Sequence, residues 1–92
     1  MAHYRVVSWN GIPSLVEADD AGDTVRQPLS QRFQDLIDAV AMRQGASETE
    51  AYLEGWSAED GGERPGSARA VADAVADELE ASFERLVEER LR

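Results

Sequence analysis

Four carboxylates crowd the stretch "EADDAGD" at residues 17 to 23, and dense carboxylate oxygen is what a hard cation such as calcium or magnesium seeks. The spacing does not fit a calcium loop, which alternates its ligands and closes on a distal glutamate. His3 is the single histidine and has no serine or cysteine beside it in a nucleophile motif, so general-base catalysis lacks its parts. Gly61-Gly62 lacks the lysine and the helix context of a phosphate loop. With no cysteine in the chain, thiolate nucleophiles, disulfides and zinc-thiolate sites are excluded. The expectation is a protein that is not an enzyme and carries no cofactor or metal.

Residues that could recognise another protein are easier to find. "YLEGWSAEDGGERPGS", residues 52 to 67, places Trp56 after a glycine and before a polar run, where it is either a plug for a small core or an anchor offered to a partner. Trp9 poses the same choice beside a turn. Six acidic residues and no basic one lie between Ser47 and Glu63, which suits either a solvated face or a dock for a basic patch. From Ser67 onward, a step of 100° per residue aligns Ala68, Ala72, Val75, Leu79, Phe83 and Leu86 on one face, with Asp73, Asp77, Glu80, Glu84 and Glu88 in an acidic stripe on another. Like charges one turn apart repel, so the stripe also has either a solvent or an arginine-rich partner to face.

Composition narrows the partners. Nineteen acidic against nine basic residues give a net charge of −10, which repels nucleic acid and anionic lipid. No apolar run approaches the roughly 20 residues of a membrane span, and Met-Ala-His-Tyr-Arg is not an apolar signal core. A cytoplasmic protein is expected. Ninety-two residues suit one domain, residues 1–92, with a thin stability margin.

Those candidate residues need elements to hold them. "HYRVVSW" at 3 to 9 is β-branched and aromatic, Asn10-Gly11 favours a hairpin turn, and "SLVEAD" at 14 to 19 returns as the second strand. Thr24 to Gln27 offers a third. Ser30 is an N-cap, Phe33, Leu36, Ile37, Val40 and Ala41 recur at helical spacing, and Gly45 closes the helix. Ser47-Glu48-Thr49-Glu50 is a capping box for a short helix reaching Glu54. "GWSAEDGGERPG" reads as a loop. The rest reads as one helix about 36 Å long at roughly 1.5 Å per residue, longer than a domain of this size, so its last turns overhang and expose Leu86, Val87 and Leu91. The heptad pattern fails at Ser82 and Glu89, which disfavours a long coiled coil.

Nearly the whole chain resembles a family of small bacterial "virulence factor" domains. The resemblance rests on "YRVVSWNGIPSLVEADD", "LSQRFQDLIDAVAMRQG" and "YLEGWSAEDGGERPGS". The matching positions are Ile12, Pro13, Ser14, Arg32, Phe33, Gln34, Gly55, Trp56, Arg64, Pro65 and Gly66; "SAEDGG" after Trp56 departs from the pattern by being smaller and less aromatic. The family brings no catalytic residues. It implies an accessory role beside folate- or corrinoid-dependent one-carbon enzymes, such as methylenetetrahydrofolate reductase-like proteins. It also implies that Trp56 and Arg64 to Gly66 bracket a loop, with Trp56 as plug and Arg64 capping or pairing locally.

The sequence therefore predicts an α+β fold: an N-terminal hairpin or small antiparallel sheet against two short helices and one long C-terminal helix. Phe33, Leu36, Ile37, Val40, Val75 and Leu79 are its expected core. The expected function is docking on a larger enzyme subunit through Trp56, Phe83, Leu86, Val87, Leu91, Glu80, Glu84 and Glu88. A structural homodimer and a small-ligand carrier or enzyme are the alternatives.

Overall fold

The computed structural model describes residues 1–45 and 49–91. Strand β1 (Ala2–Trp9) turns through Asn10 and Gly11, both at positive φ, into β2 (Ile12–Asp20). Ala21 and Gly22 repeat the same device into β3 (Asp23–Pro28). Left-handed pairs of this kind match the natural twist of the strands they join. Helices α1 (Gln31–Arg43) and α2 (Thr49–Glu54) follow. The capping-box residues Ser47 and Glu48 lie outside the described residues.

Residues expected to form a loop form a fourth strand, β4 (Trp56–Arg64), which pairs antiparallel with β1 and completes a sheet of order β3-β2-β1-β4. Its glycine and acid content is poor in intrinsic strand preference. What recruits it is the otherwise unpaired edge of β1, whose main-chain groups need partners. Gly61 is essential to that pairing, because a Cβ there would run into the Tyr4 ring.

The long C-terminal helix is also corrected. It breaks at Ser82 into α3 (Ala68–Ala81) and α4 (Phe83–Leu91). The Ser82 hydroxyl donates to the Leu79 carbonyl at 2.8 Å, competing for a helix acceptor and turning the chain. Nothing overhangs. Phe83 and Leu86 pack against both core clusters, while Val87 and Leu91 pack against the second. Arg43 fastens the end of α4 by donating to the Leu91 carbonyl.

Helices cover one face of the sheet. The first cluster joins Ala2, Val16 and Ala18 of the sheet to Leu29, Phe33, Ala68, Val71, Ala72, Val75 and Ala76. The second gathers Trp9, Ile12, Leu36, Ile37, Val40 and Ala41. Of the expected core, Phe33, Leu36, Ile37, Val40 and Val75 are buried, and Leu79 is half-buried. The other sheet face carries charge: Arg5 donates to Asp19 at 2.8 Å, and Glu17 accepts from Arg5 and Arg26.

Candidate functional site

The second cluster ends in three aromatic rings. Trp9 and Trp56 are directly opposed across β1 and β4, but their surroundings differ. Trp9 is 0% exposed, stacks on Tyr52 at 5.7 Å and donates its indole N–H to the Tyr52 carbonyl at 2.6 Å. Gly55 lies so close to this indole that any Cβ would collide with it. Trp9 is the plug. Trp56 is half-buried, packs against the second cluster and meets Tyr52 edge-on at 5.9 Å.

Beside these rings, Asp38, Ala41, Met42 and Tyr52 line a groove of about 400 Å³ between α1 and α2. Gln34 orients it by donating to both Asp38 and the Tyr52 hydroxyl. Met42 is 74% exposed and Leu53 on α2 is 61% exposed. Among the described residues no ion pair involves Asp35, Asp38, Glu50 or Glu54. This flank therefore joins uncovered apolar groups to uncompensated negative charge.

A second groove of about 290 Å³ is lined by Gln27, Pro28, Asp73, Ala76, Asp77 and Glu80. Two of its carboxylates are occupied within the chain. Arg69 reaches Asp73 at 3.2 Å. Glu80, expected in an exposed acidic stripe, accepts from the Ser30 backbone N–H at 2.7 Å, the Ser30 hydroxyl at 2.8 Å and Arg32 at 2.9 Å. Ser30 makes no side-chain cap of its own to α1, so Glu80 joins the start of α1 to α3 in its place. Partial burial works to raise the Glu80 carboxyl, but the bonds from Ser30 and Arg32 outweigh it and hold it below its ordinary value. The Arg32 guanidinium also lies 4.4 Å over the Phe83 ring.

Arg64 is corrected as well: it pairs with Glu78 on α3 through two bonds, at 2.6 and 2.8 Å, and lies over Tyr4. That contact ties β4 to α3. The "EADDAGD" carboxylates are divided, Glu17 and Asp19 serving the charged sheet face while Asp20 and Asp23 flank the second turn. Among the described residues no group of three histidine, cysteine, aspartate or glutamate side chains converges as metal ligands would.

A family model described as "Virulence factor" matches residues 7–92. The chain belongs to the virulence factor family. No curated protein and no solved structure matches it. Placed on the fold, the positions that carry the family resemblance mostly hold elements together. Ile12 is buried under α1, the Ser14 carbonyl accepts from Leu29, Arg32 holds Glu80, Gly55 admits Trp9, and Arg64 holds Glu78.

Of the expected docking residues, Trp56 borders the aromatic flank. Phe83, Leu86, Val87 and Leu91 are half-buried against the core, Glu80 is engaged by Ser30 and Arg32, and Glu84 and Glu88 are exposed on α4. The structure brings Trp56, Phe83, Leu86, Val87 and Leu91 together around the second cluster, whereas Glu80 is turned to Ser30 and Arg32. Sequence reading missed Met42 and Asp38. Their signal was present: Met42 is a large apolar residue off the buried stripe of α1. No helix among the described residues is long and apolar enough to cross a membrane.

Proposed function

We propose that this member of the virulence factor family is a small non-catalytic docking protein whose α1–α2 flank seats on a larger protein. The observation that carries this is the placement of exposed apolar side chains. Apart from the terminal Met1, the large hydrophobic residues left exposed among those described are Met42 and Leu53, on the two helices that border the groove. Leaving such groups in water is unfavourable by roughly 25 cal/mol per Å² of apolar surface, and a covering partner recovers that. Trp56, half-buried and in edge contact with the groove residue Tyr52, lies next to the same patch.

A cytoplasmic setting belongs to the same proposal. So does the finer assignment of the partner to an enzyme of folate- or corrinoid-dependent one-carbon chemistry, which rests on what the family resemblance implies. A homodimer through the last helix has less to recommend it, because Phe83 and Leu86 already spend much of their apolar surface on the core.

The test is capture of the tagged protein from its own cells, run in parallel with the double variant Met42→Ser/Leu53→Ser. A stoichiometric enzyme that the variant loses supports the proposal and names the chemistry. Recovery of only the chain itself, with light scattering showing a dimer, would replace it with the homodimer.

A further inference from the structure

The two edges of the sheet are guarded very differently. Edge strand β3 has α3 packed beside it, ends in Pro28, which has no N–H to offer, and has Gln27 held by Arg69. Edge strand β4 has none of these protections along Ser57–Gly61, all of whose residues are exposed. Its outward main-chain donors and acceptors form a template for one more strand.

We infer that the free edge of β4 is an addition site for a basic extended segment of a partner protein. This deepens the docking proposal and rests on it. The charge of the strand selects the occupant. No basic residue occurs from Trp56 through Glu63, and the carboxylates serve both faces. Glu59 stands opposite Val6, on the helix side of the sheet, whereas Asp60 and Glu63 stand opposite Arg5 and His3 on the other. Side chains of an added strand alternate between those faces, so basic residues at either parity meet a carboxylate.

A second copy of the chain is the wrong occupant. Pairing β4 with itself sets acidic rows against each other, and like charges directly opposed are destabilising. Asp60 is already employed, accepting from the Gly62 N–H at 2.8 Å and lying 2.8 Å from His3, which fixes the bulge in the strand. Glu59 and Glu63 have no ion pair among the described residues. They are the two groups left to select the partner.

The test is titration of the isotope-labelled protein with a short blocked peptide alternating lysine and valine, followed by amide shifts and hydrogen exchange. The peptide alternating glutamate and valine is the control. The expected result is shifts and slowed exchange confined to residues 57–63, with binding weakened several-fold by high salt. Glu59→Arg/Glu63→Arg should reverse the preference toward the acidic peptide, and Glu59→Gln/Glu63→Gln should bind neither well, with unchanged circular dichroism in both.

Shifts spread over the whole acidic surface without slowed exchange would overturn the inference. So would protection at β3 or at the Met42 groove. Binding of neither peptide would also overturn it, leaving the carboxylates only to keep the edge unpaired. The wider proposal is judged separately: an edge variant that still captures the cellular partner sinks the edge alone, whereas wild-type protein that captures nothing sinks the docking reading even if the peptide binds.

Discussion

Beneath α3 the sheet meets Ala68, Ala72 and Ala76, whereas at the hairpin end the core is filled by Trp9, Ile12, Leu36 and Ile37. The first end is packed by nearness. Alanines let the helix backbone settle close to the strands, but each buries little area, so Val71, Val75 and Phe33 carry much of the apolar burial there. Polar ties hold its borders: Arg64 to Glu78, and Ser30 with Arg32 to Glu80. The second end is packed by volume. Its rings fill the space between hairpin and helices, and at its rim Met42 and Leu53 stay exposed while Trp56 is half-buried. The difference teaches that the two ends of one small sheet can be closed by different means, and that, Met1 aside, large exposed apolar side chains among the described residues remain only at the end packed by volume.

Removing volume should break the second end most severely. Trp9→Ala deletes a fully buried ring and strands the Tyr52 carbonyl that accepted its N–H. A loss of about 3–5 kcal/mol is expected, enough in a small domain to leave a large fraction unfolded in a denaturant titration. Adding volume should break the first end. Ala72 is 0% exposed under α3, and Ala72→Leu is expected to cost about 1–3 kcal/mol by pushing the helix off the sheet. Equal tolerance of both substitutions would show that the two ends do not differ as described.

The polar ties come next. Glu80→Gln removes the charge that Ser30 and Arg32 hold, for an expected loss of about 1–2 kcal/mol in thermal or urea unfolding. The pH dependence has a definite sign. Asp19, bonded by Arg5 and then Thr24, is held below its ordinary value, as are Glu78 by Arg64 and Glu80 by Ser30 and Arg32. Stability from a depressed carboxyl is fully present above the unfolded carboxylate range of about 4–4.5 and is lost as pH falls through the folded values. Acid titrations should therefore show falling stability below that range, with a shallower fall in Glu80→Gln. The smallest effect on stability is the sharpest for function: Met42→Ser/Leu53→Ser should change unfolding by less than about 0.5 kcal/mol per site while abolishing partner capture.

Legibility in the sequence followed the distance over which each feature is decided. The Asn10-Gly11 turn, the α1 stripe ending at Gly45 and the start of the last helix at Ser67 are all settled within a few residues. Part of the candidate site was readable in the same way, since Met42 falls off the buried stripe of α1. Trp56 could not be placed from its neighbours, because the ring opposite it belongs to Trp9, far away in the chain.

The sequence by itself determined the α+β class, the order of its hairpin strands and helices, the helical part of the core at Phe33, Leu36, Ile37, Val40 and Val75, and the absence of cysteine chemistry, because periodicity, turn residues and caps act locally. Only the tertiary structure decided that the acidic run after Gly55 is a strand, that Ser82 divides the last helix, and that Glu80 serves the start of α1 and not a surface stripe. An unpaired β1 edge and the N–H of Ser30 are demands made by distant parts of the chain, and they override what a weakly biased segment prefers alone, while at Ser82 the hydroxyl bond to Leu79 interrupts a helix that apolar periodicity alone would continue.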